Sequence, residues 1–208
     1  MSDLISSFDS WAATYETTPM QTLVFTPVRS TAIALAHRYL PAPSRVLDVG
    51  CGTGRLLRDL RTNHPHAQLV GVDPAAKMLL EASALARGSN LRLVRAAAER
   101  LPFASHSFDL VFVTMSMRHW SRPRAGVAEV VRVLRPDGVL VVAEVALPAG
   151  KRRGLLARLT EERKQLMYAR LLDEQAVSRL TIEPAPVRGP VPDVQVVVLA
   201  RTLARPTP

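Results

Sequence analysis

Val46-Leu47-Asp48-Val49-Gly50-Cys51-Gly52-Thr53-Gly54 is an apolar strand carrying an acid and running into three alternating glycines, and its reading decides the fold. A strand that must turn sharply into a helix needs residues that tolerate positive φ, and glycine also lets the backbone approach a ligand with no Cβ in the way. A dinucleotide-binding loop would read G-x-G-x-x-G and bring a pyrophosphate to the helix N-terminus. Here the third position of that pattern holds Arg55, and the spacing is G-x-G-x-G. Asp48, two residues before the first glycine, sets a carboxylate beside the loop, which suits a cationic ligand group better than a phosphate. Together these features describe a socket for an adenosine-containing cofactor and make an enzyme the leading reading.

On both sides of this stretch the elements alternate. Upstream, residues 3–16 and 27–39 pattern as helices, and Pro41 and Pro43 punctuate the chain before the first strand, 45–49. Downstream, a helix follows Gly54, and Leu69-Val70-Gly71-Val72 leads a second strand to Asp73. Pro74 suits the first turn of the next helix, which carries Met78, Leu79, Ala82 and Leu85 at helical spacing and stops near Gly88. Residues 91–94 form a short third strand and 108–113 a fourth, apolar enough to be buried on both faces as a parallel sheet requires. A helix over 124–134 repeats Val127, Val130, Val131 and Leu134, and Pro136-Asp137-Gly138 predicts a turn before a fifth strand, 139–145. Strands alternating with helices imply right-handed βαβ units and a doubly wound parallel sheet.

The tail differs. A helical segment spans about 154–180, a short strand falls near Thr181-Ile182-Glu183, and the four prolines between Pro184 and Pro192 predict a loop. A clear strand follows at 194–199, and two strands joined without a helix are naturally antiparallel neighbours.

At 208 residues the length fits one α/β domain with at most a small lid. The longest apolar runs fall well short of the roughly 20 residues a membrane-spanning helix needs, and the N-terminus carries acids and serines in place of a basic leader. The expectation is a cytoplasmic protein with no transmembrane segment. A single cysteine, Cys51, excludes an intrachain disulfide, and the scattered histidines leave no zinc framework, so no metal is expected. The net charge of +9 is mostly arginine spread along the chain. One cluster stands out, Lys151, Arg152, Arg153 and Arg158 with Arg163 and Lys164 beyond, opposed by Glu161 and Glu162. It reads either as a contact for nucleic acid or an anionic membrane surface, or as a solvated helix face.

Further pieces fall in a fixed order after the glycine loop: Gly71-Val72-Asp73 with Met78 five residues on, Leu101-Pro102-Phe103, Ser107-Phe108-Asp109, His119-Trp120 and Leu134-Arg135-Pro136-Asp137-Gly138. With them the chain resembles the class I S-adenosylmethionine-dependent methyltransferases, in particular the small ubiquinone-biosynthesis-like or type 11 group. The resemblance implies an α/β, Rossmann-like, doubly wound fold with helices on both faces. Its sheet is seven-stranded and mostly parallel, of order 3-2-1-4-5-7-6, with the last strand antiparallel. It also implies a single domain in which residues 1–40 form an N-terminal helical lid segment and 41–208 the cofactor-binding part, as a monomer or homodimer. The implied cofactor is S-adenosylmethionine, with S-adenosylhomocysteine as product.

Carried over by position, the resemblance puts Asp48 near the cofactor's amino-acid end, with the backbone of Gly50, Cys51 and Gly52 against it. Asp73 accepts from both ribose hydroxyls, a role compatible with capping the next helix. Pro74, Met78 and the Ala98 N–H lie near the adenine, while Thr114 and Met115 line the other side. Tyr15, within Phe8-Asp9-Ser10-Trp11-Ala12-Ala13-Thr14-Tyr15, either closes over the site as in related chains or docks its helix with Phe8 and Trp11. Cys51 also reads as a small residue filling the loop.

One departure stands out. Related sequences read Gly-Asp-Ala-Glu before Leu-Pro-Phe, whereas this chain has Ala96-Ala97-Ala98-Glu99, so the aspartate that bonds the adenine amino group is replaced by Ala97. Glu99 or a neighbour is left to compensate. His119 follows the fourth strand, where the acceptor belongs, and is the candidate catalytic base; alternatively the His-Trp pair packs the next helix. The segment Thr114-Met115-Ser116-Met117 lacks the Asn/Asp-Pro-Pro-Tyr pattern of amide and exocyclic-amine methyltransferases, and the hard oxygen ligands of a magnesium-assisted enzyme are missing. The expected acceptor is a small molecule methylated at oxygen, carbon or a simple amine. An RNA or anionic-lipid acceptor, or a regulator that binds the cofactor without transfer, are the alternatives.

Overall fold

The computed structural model describes residues 2–87, 91–143, 145–146, 180–186 and 195–201. Helix α1 (Ser2–Tyr15) is followed by a single π-helical turn (Gln21–Phe25) that runs directly into α2 (Thr26–Tyr39). Then come β1 (Arg45–Val49), α3 (Arg55–Asn63), β2 (Gln68–Asp73), α4 (Ala76–Leu85), β3 (Arg92–Arg95) and β4 (Phe108–Thr114). A 3₁₀ turn (Met117–His119) and α5 (Pro123–Val133) lead to β5 (Leu134–Ala143), β6 (Val145–Ala146), β7 (Leu180–Pro186) and β8 (Gln195–Arg201).

Five strands form a parallel sheet in the order β3-β2-β1-β4-β5. Alternate residues of each central strand enter opposite apolar layers. On one side Val46, Leu110, Phe112 and Val141 pack with Val28 and Leu35 of α2 and Leu57 and Leu60 of α3. On the other, Leu47, Val111, Val113 and Leu140 pack with Val127 and Val130 of α5. Burial on both faces is why these strands read as continuous apolar runs. Asp109 fixes the lower end of the sheet: its two carboxylate oxygens accept the N–H groups of Ser44 and Arg45, each at 2.9 Å, where the chain enters β1.

β5 starts earlier than the expected turn at Pro136-Asp137-Gly138 suggests. Leu134 pairs with Phe108 and Val139 with Leu110, so residues 135–138 bulge out opposite Asp109 alone, with 135–137 exposed and Gly138 buried. The second sheet, of order β6-β8-β7, is antiparallel, and β8 runs opposite to both neighbours. Residue 144, through which this sheet would continue β5 into one seven-stranded sheet, is outside the described residues, as are the helical segment expected at 154–180 and the basic cluster around Lys151.

The run from Pro184 to Pro192 expected as a loop is in part strand, because β7 includes both Pro184 and Pro186, and residues 187–194 lie outside the described residues. β7 is an edge strand, and proline is tolerated there because its missing N–H interrupts no ladder on the open side. The π-helical turn and the 3₁₀ turn at Met117–His119 are absent from the expectation. No helix of the described residues is long and apolar enough to cross a membrane.

Candidate active site

A cavity of about 680 Å³ opens at the carboxyl ends of β1, β2 and β4 and is roofed by α1 and the π-helical turn, the place where ligands bind in open parallel α/β sheets. The three glycines of the loop all adopt positive φ, +81° at Gly50, +53° at Gly52 and +74° at Gly54. Gly50 has a second constraint: a Cβ there would lie 2.4 Å from the Ser116 Cβ. Ser116 is buried, and its hydroxyl donates to the Val49 carbonyl at 2.7 Å, so the ends of β1 and β4 are locked together at the cavity floor.

Asp48 is 1% exposed, and its Oδ1 has no hydrogen-bond partner among the described residues. Burial, followed by the charge of Asp73, raises its pKa to about 7, while the Arg29 guanidinium pulls it down. Asp73, the last residue of β2, is anchored through both oxygens: Oδ2 accepts the Gly52 N–H at 2.9 Å and Oδ1 the Ala75 N–H at 2.8 Å. Burial raises its pKa too, and those two backbone donors hold it back. Each oxygen keeps a further lone pair, so a carboxylate held in this way is pre-positioned to accept two more donors.

Every residue expected at the site lines this one cavity: Tyr15, Asp48, Gly50, Cys51, Gly52, Asp73, Pro74, Met78, Ala98, Glu99, Thr114, Met115 and His119. Cys51 also serves as filler. A Cβ at Gly71 would meet its Sγ at 2.7 Å, and burial raises the thiol pKa well above the ordinary range, which keeps it protonated. Met115 is a non-glycine residue at φ +52°, held there by its N–H donating to the Ala143 carbonyl at 2.7 Å. Glu99 Oε1 accepts the Arg122 N–H at 3.0 Å, so half of its carboxylate is committed to the approach to α5. Ala97 lines the wall with no polar side chain to offer.

The roof is aromatic. Trp11 meets Tyr15 edge-on at 4.8 Å between ring centroids, Tyr15 stacks on Phe25 at 5.7 Å, and Phe8 meets His119 edge-on at 5.1 Å. Burial, then the neighbouring Glu16 charge, pushes the Tyr15 pKa up to about 12, so its hydroxyl remains a donor. Burial and then Arg118 lower the His119 pKa, which leaves the imidazole neutral at pH 7. Trp120 also lines the cavity and packs on α5, where a Cβ at Gly126 would lie 2.4 Å from its ring.

Among the cavity and roof residues that were not anticipated, three polar ones stand out. Gln21 and Arg29 are only 4% and 9% exposed and both line the cavity. Glu16 ties the end of α1 to the glycine loop, accepting from the Thr53 hydroxyl and from Arg58 Nη2 at 3.1 Å, with Arg55 at 3.3 Å. The signal for Arg29 was present, since it sits at helical spacing between Phe25, Ala32 and Ala36 on the apolar stripe of α2. Gln21 and Glu16 carry no such pattern.

A family model described as a methyltransferase domain matches residues 47–142, the span from the β1 acid to the end of β5. Over this span the chain is similar to the class I S-adenosylmethionine-dependent methyltransferases of the type 11 group. It is 39% identical over 124 residues to a demethylmenaquinone methyltransferase of Thermus thermophilus, covering 59% of this chain and 56% of that protein. It is 30% identical over 197 residues to a malonyl-[acyl-carrier protein] O-methyltransferase of a Methylovorus species, covering 91% of this chain and 64% of that one. The chain thus spans about half to two thirds of the length of these relatives. Among solved structures, a SAM-dependent methyltransferase from Aquifex aeolicus superposes with a TM-score of 0.68 at 14% identity, covering 95% of this chain and 98% of that one. A protein from Pyrococcus horikoshii gives 0.66 at 23%, with 91% and 98% covered. These two likenesses establish the methyltransferase fold.

The cofactor of that family is S-adenosylmethionine, and the cavity of this chain fits it on its own geometry. A buried acid with an unpartnered oxygen stands at one end for an ammonium, and an anchored acid with spare lone pairs stands at the end of β2 for vicinal hydroxyls. Between them, backbone at positive φ leaves room for close approach. Among the described residues no three or more His, Cys, Asp or Glu side chains converge as a metal site would need.

Proposed function

We propose that the protein transfers a methyl group from S-adenosylmethionine to a small, uncharged or weakly acidic acceptor, at oxygen, carbon or a simple amine. The observation that carries this reading is the division of the cavity. Its buried carboxylates lie at the β1 and β2 ends, whereas α1 and the π-helical turn contribute Leu4, Ile5, Phe8, Trp11, Met20 and Val24. An apolar, aromatic roof favours an apolar acceptor and excludes water from the reaction. Two relatives are named for demethylmenaquinone and for a malonyl group on acyl-carrier protein, which supports a small acceptor group.

When bound, the cofactor supplies an activated methyl group and its own leaving group, so the chain chiefly has to orient, shield and move a proton. Asp73 holds the ribose hydroxyls, Asp48 and the backbone of Gly50, Cys51 and Gly52 the amino-acid end, and Pro74, Met78 and the Ala98 N–H the adenine. Thr114, Met115 and Glu99 complete the walls, and residues 1–40 act as the lid, with Tyr15 beneath α1. His119, neutral and held edge-on to Phe8, takes the proton from an acceptor hydroxyl as the methyl is transferred.

The test is label transfer from methyl-labelled S-adenosylmethionine across a panel of phenols, quinols, carboxylic acids and amines, with S-adenosylhomocysteine release followed in parallel. A labelled product from one class is expected, with His119→Asn lowering its rate about 100-fold or more. Cofactor binding with no product in any class would overturn the transfer reading, and an unchanged rate in His119→Asn would remove the base.

A further inference from the structure

Phe8 of α1 touches two parts of the cavity. On one side it joins the small apolar cluster of Ala12, Ala75 and Met78, on the wall assigned to the adenine. On the other its ring meets the His119 imidazole edge-on, with centroids 5.1 Å apart and planes at 78°. Both residues are half-buried and line the cavity. Two contacts fix Phe8 in turn: it stacks on Trp11 at 6.4 Å, and the next residue, Asp9, accepts the Lys77 N–H at 2.7 Å, which ties this part of α1 to α4.

His119 ends a single 3₁₀ turn, and its backbone N–H donates to the Ser116 carbonyl at 2.9 Å. That bond fixes the main chain and leaves the ring to be set by packing, because the χ2 torsion of histidine has broad wells. Phe8 supplies that packing from another element. An apolar ring over the imidazole also keeps water from it without offering a hydrogen-bond partner, which disfavours the charged form. Of the charged groups around it, Asp9 is committed to Lys77 and Glu99 Oε1 to the Arg122 N–H at 3.0 Å, while Arg118 acts on the imidazole in the same direction as burial.

We infer that Phe8 is the positioning residue for His119, orienting the imidazole and excluding water from it only while α1 is seated on α4. This rests on the reading of His119 as the base and goes beyond it by giving the roof a part in proton transfer. Orientation is the larger of the two effects. An imidazole returned to water at its ordinary 6.5 is about one-quarter protonated at pH 7, a loss well under twofold. A reacting group misplaced by about 1 Å costs up to about 100-fold.

The test is a proton NMR titration of the His119 ring, assigned by its absence from His119→Asn, in the unmodified protein, Phe8→Leu, Phe8→Tyr and Asp9→Ala. Phe8→Leu keeps an apolar group against Met78 but removes the ring, and its midpoint rises toward 6.5. Asp9→Ala, which loosens α1 without touching the ring pair, moves the midpoint the same way, and Phe8→Tyr leaves it in place. With the acceptor that yields labelled product, kcat in Phe8→Leu falls by about tenfold to a hundredfold, the KM for S-adenosylmethionine stays within about threefold, and Phe8→Tyr recovers most of the rate. Midpoints unmoved in both Phe8→Leu and Asp9→Ala would refute the inference. A midpoint that falls in Phe8→Leu would refute it too, since the ring would then be stabilising the imidazolium. An unchanged rate in His119→Asn would instead remove the base reading, with the titration still deciding whether Phe8 controls the ring.

Discussion

Asp9 of α1 caps α4: its Oδ1 accepts the Lys77 backbone N–H at 2.7 Å, in the first turn of a helix whose own N-cap, Ala75, has no side chain able to do so. The cap couples the roof of the cavity to the helix that carries Met78 beneath it. Asp9→Ala should therefore lower stability by about 0.5–2 kcal/mol, a melting temperature lower by about 2–6 °C. It should also weaken S-adenosylhomocysteine binding, because α1 loses one of its fastenings. Asp9→Asn should retain most of both. Calorimetric melting with and without ligand measures the two effects, and a melting temperature within 1 °C of the unmodified protein would exclude the cap as a stabilising contact.

Much of this could be read from the chain. β1, β2, β4 and the helices between them carry strong periodicity because the sheet is buried on both faces and the helices on one, and the β1 acid and glycines announce the loop. What was not legible is tertiary. Gln21 lies between the helices expected at 3–16 and 27–39, and only packing of the π-helical turn against α2 carries it inward. Pro184 and Pro186 broke the expected strand, since sequence does not reveal that β7 is an edge. The unpartnered oxygens of Gln21 and Asp48 become visible only when their surroundings are known.

Arg132 holds the Leu101-Pro102-Phe103 loop against α5. Its Nη1 donates to the Phe103 carbonyl at 2.7 Å and Nη2 to the Leu101 carbonyl at 3.0 Å, while Nε binds Glu129, whose Oε2 in turn accepts the Leu101 N–H at 2.8 Å. Arg132→Met strands two loop carbonyls and should cost about 1–3 kcal/mol. The hydrogen bond from Arg132 holds the Glu129 pKa below its ordinary 4.5, so the contribution of this carboxylate is present above that pH and is lost as pH falls further. The gap between acid melts of Arg132→Met and the unmodified protein should accordingly narrow as pH falls below 4.5, leaving the part contributed by the two loop carbonyls. Curves separated by a constant gap at every pH would exclude the ion pair as the cause.

Ala97 leaves the adenine end of the cavity without a side-chain acceptor, and Glu99 has one oxygen already taken by Arg122. Ala97→Asp places a carboxylate on the cavity wall, where the adenine amino group can donate to it. Since one hydrogen bond to a charged group contributes about 1.5–3 kcal/mol, S-adenosylhomocysteine should bind about tenfold more tightly or better. Calorimetry reads this directly, and equal or weaker binding would count against adenine at that wall.

Asp48 is the residue where stability and binding are set against each other. Burial raises its pKa from 3.8 to about 7, so the folded chain without ligand favours the neutral acid. The sign follows from linkage. Below pH 3.8 the acid is neutral in both folded and unfolded chains and costs nothing. As pH rises from 3.8 to about 7 the unfolded chain ionises while the folded chain keeps the neutral acid, so stability falls, and it levels off once the folded carboxyl ionises. Asp48→Asn removes that charge, so the variant should match the unmodified protein near pH 4 and melt higher at pH 8, by on the order of 5 °C. Ligand binding runs the other way, because the ammonium needs the ionised form. S-adenosylhomocysteine affinity should be level above pH 7 and fall by up to about tenfold per pH unit below it, while 5′-methylthioadenosine affinity stays flat. In Asp48→Asn the pH slope should vanish and S-adenosylhomocysteine should bind weakly throughout. A slope that persists in the variant would assign the titration to another group, Asp73 first among them.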